Sequence, residues 1–188
     1  MIPQLQAAME IQTFCKEQGW SFCFIGALVV LRWGEPRITQ DVDATLLTGF
    51  GNEELFIREL IGCFQSRVPD AEDFALKNRV LLLRARNGID IDISLGALPF
   101  EQNLVQRATP FSFTPDATLI TCSAEDLVVL KAFASRNKDW ADIEGIMIRQ
   151  GVRLDWKYIF DNLTPLCELK NAPEILDKLQ ELRARLTK

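Results

Sequence analysis

Two pairs of aspartates, each separated by one residue, mark the part of this chain that could do chemistry: Asp41-Val42-Asp43 and Asp90-Ile91-Asp92. Side chains alternate faces along an extended strand, so both members of each pair point the same way. Carboxylates brought this close repel one another unless a proton or a cation joins them. Oxygen-only donors suit hard divalent ions such as Mg2+ or Mn2+. Such ions hold phosphate oxygens, activate a hydroxyl and stabilise a leaving group. Gly26-Ala27, a glycine-small turn at the end of an apolar run, is separated from Asp41 by thirteen residues. A turn of this kind entering a helix offers free backbone N–H groups to an anion such as phosphate. Asp41, Asp43 and a third strand acid, Asp92 in preference to Asp90, therefore make a candidate metal seat beside a candidate phosphate cradle. The chain has no histidine, which excludes a histidine general base, histidine-ligated zinc and Ser-His or Cys-His catalysis. The third carboxylate, with no histidine in the chain, is the natural candidate for general base or for the second metal.

The flanking elements must place these groups. Residues 3–19 read as a helix with a broad apolar face, Pro3 in its first turn and Gly19 at its end. A strand over 21–25 follows, then a short helix from Gly26 to Gly34. The loop 35–40 leads into a strand at 41–47. Asn52 is expected to cap a helix reaching residue 67, followed by a linker holding Pro69. Strands at 79–86 and 89–95 are joined by Asn87-Gly88, the strongest short hairpin signal. Arg84 and Arg86 flank that hairpin and face either its acids or an acceptor. A short helix is expected at 99–107, and 109–121 reads as loop with one edge strand. Ser123 is placed to cap a helix over 124–136. Further helices are predicted over 139–150, 154–162 and 173–186. The fold class is α/β (α+β), a small mixed twisted sheet flanked by helices. Its core spans 1–121, and 122–188 forms a C-terminal helical region packed on it.

Hydrophobic residues make up 48% of the 188, enough for a proper core. Formal net charge is −5, which disfavours generalised nucleic-acid binding. The five cysteines are widely spaced, as expected of reduced thiols in a cytoplasmic protein. No apolar run approaches the roughly 20 residues of a membrane span, and the first residues lack the pattern of a signal peptide.

An apolar residue, glycine, a small residue, about a dozen residues and then D-x-D resembles the signature of the polymerase-beta-type nucleotidyltransferase superfamily. The string Arg37-x-Thr39-x-Asp41-Val42-Asp43 is similar to the AbiEii-type branch, which includes toxins of toxin–antitoxin and phage-defence systems. The resemblance continues through IDISLGALPFE, from Ile91, and SAEDLVVLKAFASRNKDWADIEGI, from Ser123. It implies a nucleotidyltransferase fold and transfer of a nucleoside monophosphate from ATP or another NTP to a hydroxyl acceptor. Asp41, Asp43 and Asp92 would be catalytic and metal-binding. Gly26 and Ala27 would meet nucleotide phosphates through their amides, and Lys131 would reach the triphosphate. Arg37, Thr39 and Asp142 would complete the nucleotide pocket, and Asp139 belongs to the same downstream pair. The position of Ala27 usually holds glycine or serine in the superfamily; alanine keeps the amide and loses the hydroxyl.

The expected partners are an NTP, a hydroxyl acceptor (tRNA, protein or small molecule) and an antitoxin partner, with no membrane. Two other functions share these residues. One is a catalytically silent fold acting as a binding or antitoxin-like protein. The other is a phosphotransferase. For transfer, Asp92 and Lys131 must face the same cleft as Asp41 and Asp43.

Overall fold

The computed structural model describes residues 2–186. They form two compact units. The first holds the residues up to Leu28 together with Ile38–Cys122, and the second holds Val29–Arg37 with the residues from Ser123 onward.

The first unit is built on a seven-stranded mixed sheet. Its strands are β1 (Phe22–Ile25), β2 (Asp41–Leu47), β3 (Gln65–Ser66), β4 (Val80–Arg84), β5 (Asp90–Gly96), β6 (Thr109–Thr114) and β7 (Ala117–Thr121), in the order β3-β4-β5-β2-β1-β7-β6. β2 and β5 run parallel, as do β1 and β7, and the remaining pairs are antiparallel. The central strands explain themselves by alternation. Val42, Ala44 and Leu46 of β2 and Ile91, Ile93 and Leu95 of β5 are buried on one face. The aspartates occupy the other face and are half-buried. Helix α1 (Pro3–Glu17) packs against β7 and β2, buries Leu5, Ala8 and Ile11, and is tied to β7 by Gln12, which donates to the Thr118 carbonyl and accepts from the Ile120 amide. Helix α2 (Gly26–Trp33) starts directly where β1 ends. Helices α3 (Glu53–Cys63), α4 (Ala71–Asn78) and α5 (Pro99–Gln106) complete this unit.

The second unit is helical. Its elements are α6 (Ala124–Ala134), α7 (Asn137–Gln150), α8 (Trp156–Lys170) and α9 (Glu174–Leu186), with one 3-10 turn at Gly151–Arg153. α6 packs against each of α7, α8 and α9, which is why its apolar residues are not confined to one stripe. Ser123 caps α6 as expected, its Oγ accepting from the Asp126 amide at 3.1 Å.

Several local expectations are corrected. Asn52 stands at the cap position of α3, but its side chain makes no capping bond. That helix stops at Cys63, because Phe64 turns extended (φ −120°, ψ 146°) to enter β3. The expected linker contains α4, bounded by left-handed Asp70 and Arg79 (φ 51° and 54°). The stretch 109–121 is a complete hairpin whose second strand, β7, lies inside the sheet. Pro110 is tolerated because β6 is the edge strand. Helix α8 runs well beyond residue 162 and through Pro165. The proline removes one backbone bond, while Leu163, Leu166 and Cys167 bury apolar surface on both sides of it.

Candidate functional site

The turn from β1 into α2 fixes the centre of the first unit. Ile25 pairs with Asp43 across the antiparallel β1–β2 ladder, so Gly26, the next residue, lies against the Asp43 side chain. Gly26 has φ +71°, and a Cβ there would sit 2.0 Å from Asp43 Oδ2. Only glycine lets the backbone and the carboxylate approach this closely. Ala27 follows at the start of the helix with its side chain buried.

The parallel β2–β5 register sets Asp41 opposite Asp90 and Asp43 opposite Asp92. Directly opposed residues share a sheet face. The four carboxylates therefore form a two-by-two block, with Asp92 on the second hairpin strand beside Asp43. Thr39 orients one corner: its Oγ1 lies 3.0 Å from both Asp41 Oδ1 and the Asp41 carbonyl. Thr39 is buried, and its own carbonyl accepts from Gln4 Nε2 at 2.8 Å.

Two arginines serve the other side of the block. Arg84 lies opposite Asp90 on β4, and its Nε donates to Asp90 Oδ1 at 2.8 Å. Arg67, just past β3, donates to Asp90 Oδ2 at 2.8 Å and also to Asp92 Oδ1. Arg86 turns away to Glu10. The hydrogen bond from Arg84, joined by Arg67, holds Asp90 below the usual carboxylate range. Asp92 moves the other way. Burial, with the charges of Asp41 and Asp90, pushes it above that range in spite of Arg67. A raised carboxyl is a better proton acceptor than an ordinary aspartate.

Arg67 is the residue that the sequence did not single out. It follows a helix that was expected to include it. The one signal for it was the excess of acid on β5, which calls for a counter-ion.

The donor set suits a hard cation: carboxylate oxygens on adjacent strands, one of them destabilised as an anion by burial and by the neighbouring acids. Among the described residues no three acidic or thiol side chains are already gathered as a metal cluster.

Arg37, Lys131 and Asp142 fall in the second unit and meet there. Lys131 Nζ lies 2.6 Å from Asp142 Oδ2 and 3.5 Å from Asp139 Oδ1. Arg37 grips Asp142 with two bonds of 2.7 and 2.9 Å, and Arg136 Nε lies 2.6 Å from Asp139 Oδ2. Lys131, Asp139 and Asp142 are all buried. This is an internal ion network, neither a solvated helix junction nor a lysine reaching to water. Burial opposes ionisation of both aspartates, but the bonds from Arg136 to Asp139, and from Arg37 and Lys131 to Asp142, outweigh it and lower both.

No protein-family model and no curated protein matches the sequence. Solved structures do. An antigenic nucleotidyltransferase-like protein from Paracoccidioides brasiliensis superposes with a TM-score of 0.60 at 15% identity, covering 98% of this chain and 90% of that one. The lincosamide antibiotic adenylyltransferase LnuA, solved with lincomycin bound, superposes with a TM-score of 0.52 at 14% identity, covering 75% of this chain and 94% of that one. The chain has a nucleotidyltransferase fold.

That nucleotidyltransferase fold agrees with the broad superfamily resemblance of the sequence. The structural likeness does not select the AbiEii-type branch. Within the fold, Gly26, Ala27, Thr39, Asp41, Asp43 and Asp92 belong to the sheet unit, and Arg37, Lys131 and Asp142 to the helical one. No helix among the described residues is long and apolar enough to cross a membrane.

Proposed function

We propose that this chain is a metal-dependent nucleotidyltransferase, moving a nucleoside monophosphate from an NTP to a hydroxyl acceptor. The observation that carries the reading is the glycine pressed onto Asp43 with Asp92 in register beside it. A backbone turn into a helix next to a carboxylate block suits triphosphate chemistry, the amides meeting phosphate oxygens and the carboxylates a cation. Asp41, Asp43 and Asp92 would hold Mg2+ or Mn2+, which when bound would neutralise triphosphate charge.

The chain's own groups account for the rest. The Gly26 and Ala27 amides bind phosphate oxygens. Asp92 accepts the proton of the acceptor hydroxyl, whose oxygen forms a bond to the α-phosphorus. The bond from that phosphorus to the β-bridging oxygen breaks, and pyrophosphate leaves with the electron pair. Lys131, Arg37 and Asp142 enter as nucleotide-binding residues on the sequence resemblance. Within the helical unit the three form one ion network that fixes the Lys131 ammonium and the Arg37 guanidinium in place.

Among acceptors, the net charge of −5 favours a small-molecule or protein hydroxyl over tRNA. An NTP donor and the free state of Cys15, Cys23, Cys63, Cys122 and Cys167 suit the cytoplasm. The narrower AbiEii-type reading, with a toxin-like role and an antitoxin partner, rests on the Arg37-to-Asp43 string.

The test is label transfer from α-labelled NTPs, with Mg2+ or Mn2+, to cell extract fractionated into RNA, protein and small molecules. Transfer abolished by Asp41→Asn supports the reading. No nucleotide bound in the presence of metal overturns it and leaves the silent binding protein. Product mass separates nucleotide addition from phosphate addition.

A further inference from the structure

Asp90 and Asp92 occupy equivalent positions on one strand face, yet their oxygens are used differently. Both Asp90 oxygens are taken, one by Arg84 and one by Arg67. Asp92 has only its Oδ1 engaged, by Arg67, and makes no other hydrogen bond among the described residues. Arg67 is placed there at some cost. Its guanidinium spans both acids, its backbone N–H is tied to the Leu82 carbonyl, and its Nε is buried without a hydrogen-bond partner. A buried unpaired donor is unfavourable. The position is kept because two carboxylates set beside Asp41 and Asp43 need a positive charge.

We propose that Arg67 is the resident counter-ion of the acidic face, bonded to Asp92 until a divalent cation takes its place on that carboxylate. The proposal rests on the nucleotidyl-transfer reading for the use made of the cation. Arg67 opposes metal binding in two ways that add. It occupies an Asp92 oxygen that the metal would use, and its charge repels the metal. It lowers the affinity of the empty site while keeping that site from flying apart. Asp90, held by Arg84 as well, keeps Arg67 close after the exchange. Arg67 is thus a positioning residue, with no contact to the reacting atoms required.

The experiment is calorimetric titration of the full-length chain with Mn2+ alone and Mg2+ alone, without nucleotide. Arg67→Met is expected to bind Mn2+ roughly tenfold or more tightly than the natural protein, the scale of one charged hydrogen bond released. Arg67→Lys, a single point charge without the fork, should fall between. Arg67→Met/Asp92→Asn should lose the gain. A folded Arg67→Met that binds the metal equally or more weakly overturns the proposal, since a merely structural arginine would loosen the site when removed. A gain that survives Asp92→Asn also overturns it. Where Arg67→Met does not fold by circular dichroism, Arg67→Lys carries the same comparison. Absence of divalent-cation binding in every variant overturns the exchange. Label transfer from NTP is read separately, so an enzyme that transfers label with unchanged metal affinity in Arg67→Met retains its activity and loses this role for Arg67.

Discussion

Gly26→Ala is the sharpest perturbation of the site, because two independent physical effects act in the same direction. The first is conformational. Gly26 has φ +71°, and an L-residue in that region is disfavoured by about 1–2 kcal/mol. The second is steric. The new Cβ would lie 2.0, 2.6 and 2.8 Å from Asp43 Oδ2, Cγ and Cβ. Ordinary contacts between carbons are about 3.5–4.0 Å. Rotating the Asp43 side chain cannot clear the clash, because its own Cβ is among the atoms struck. The turn or the β2 backbone must move by about 1 Å, and forced overpacking costs about 1–3 kcal/mol. The sum is about 2–5 kcal/mol. For a chain of this size that lowers Tm by roughly 4–20 °C. A shift of about 1 Å at a reacting carboxylate lowers the rate of transfer about a hundredfold.

Thermal unfolding and label transfer measure the two losses separately. Asp43→Ala added to Gly26→Ala removes the two shortest contacts, so the stability losses should be less than additive by about 1 kcal/mol. A Gly26→Ala protein with natural Tm and transfer rate, or a double variant whose losses simply add, refutes the claim that this glycine exists to admit Asp43.

Thr39→Val removes the hydroxyl that lies 3.0 Å from Asp41 Oδ1 and should lower kcat about tenfold with little change in NTP KM; Thr39→Ser should restore it. Lys131→Met strips the shared cation from buried Asp139 and Asp142 and should destabilise the second unit by about 3 kcal/mol, read from urea unfolding. Asp139 and Asp142 are both held below the usual carboxylate range, so the stability they lend is complete above the unfolded value of about 3.9 and is lost as pH falls through their folded values. The urea midpoint should therefore drop steeply below about pH 4, and the drop should be shallower in Asp142→Asn.

What could be read from the sequence was local. The D-x-D strand, the Asn87-Gly88 hairpin and the Gly26 turn each announce themselves within a few residues, by alternation or by turn chemistry. The face that the β5 aspartates take follows from a single requirement, that the isoleucines of β5 point the other way, into the core. Helix α4 gave no such signal, since only Ala71 and Ala75 are buried along it. Its ends depend on left-handed Asp70 and Arg79, which nothing in a single sequence marks. β7 looked like loop because its place between β1 and β6 is a tertiary fact. The burial of Lys131 was hidden because its partners lie eight and eleven residues on, in another helix. Arg67 was invisible for the same reason: its meaning is set by β5, more than twenty residues later.

The arginines divide the acidic face unevenly, and that division assigns different work to residues the sequence treats alike. On β5, Asp90 is closed, with a guanidinium on each oxygen. Those bonds tie β4 and the segment just past β3 to β5, and so help hold Asp92 in register with Asp43. On β2, Asp41 accepts only from the Thr39 hydroxyl and makes no ion pair among the described residues. A hydroxyl orients a carboxylate without neutralising it. The negative charge is therefore less neutralised at Asp41 than at Asp90. On the proposed metal-dependent reading, a cation at Asp92 would compete with Arg67, and one at Asp41 would meet no such rival. On the same reading Asp92, with one oxygen unbonded, suits the part of third carboxylate better than Asp90, whose two oxygens are both taken, a distinction that spacing alone does not supply.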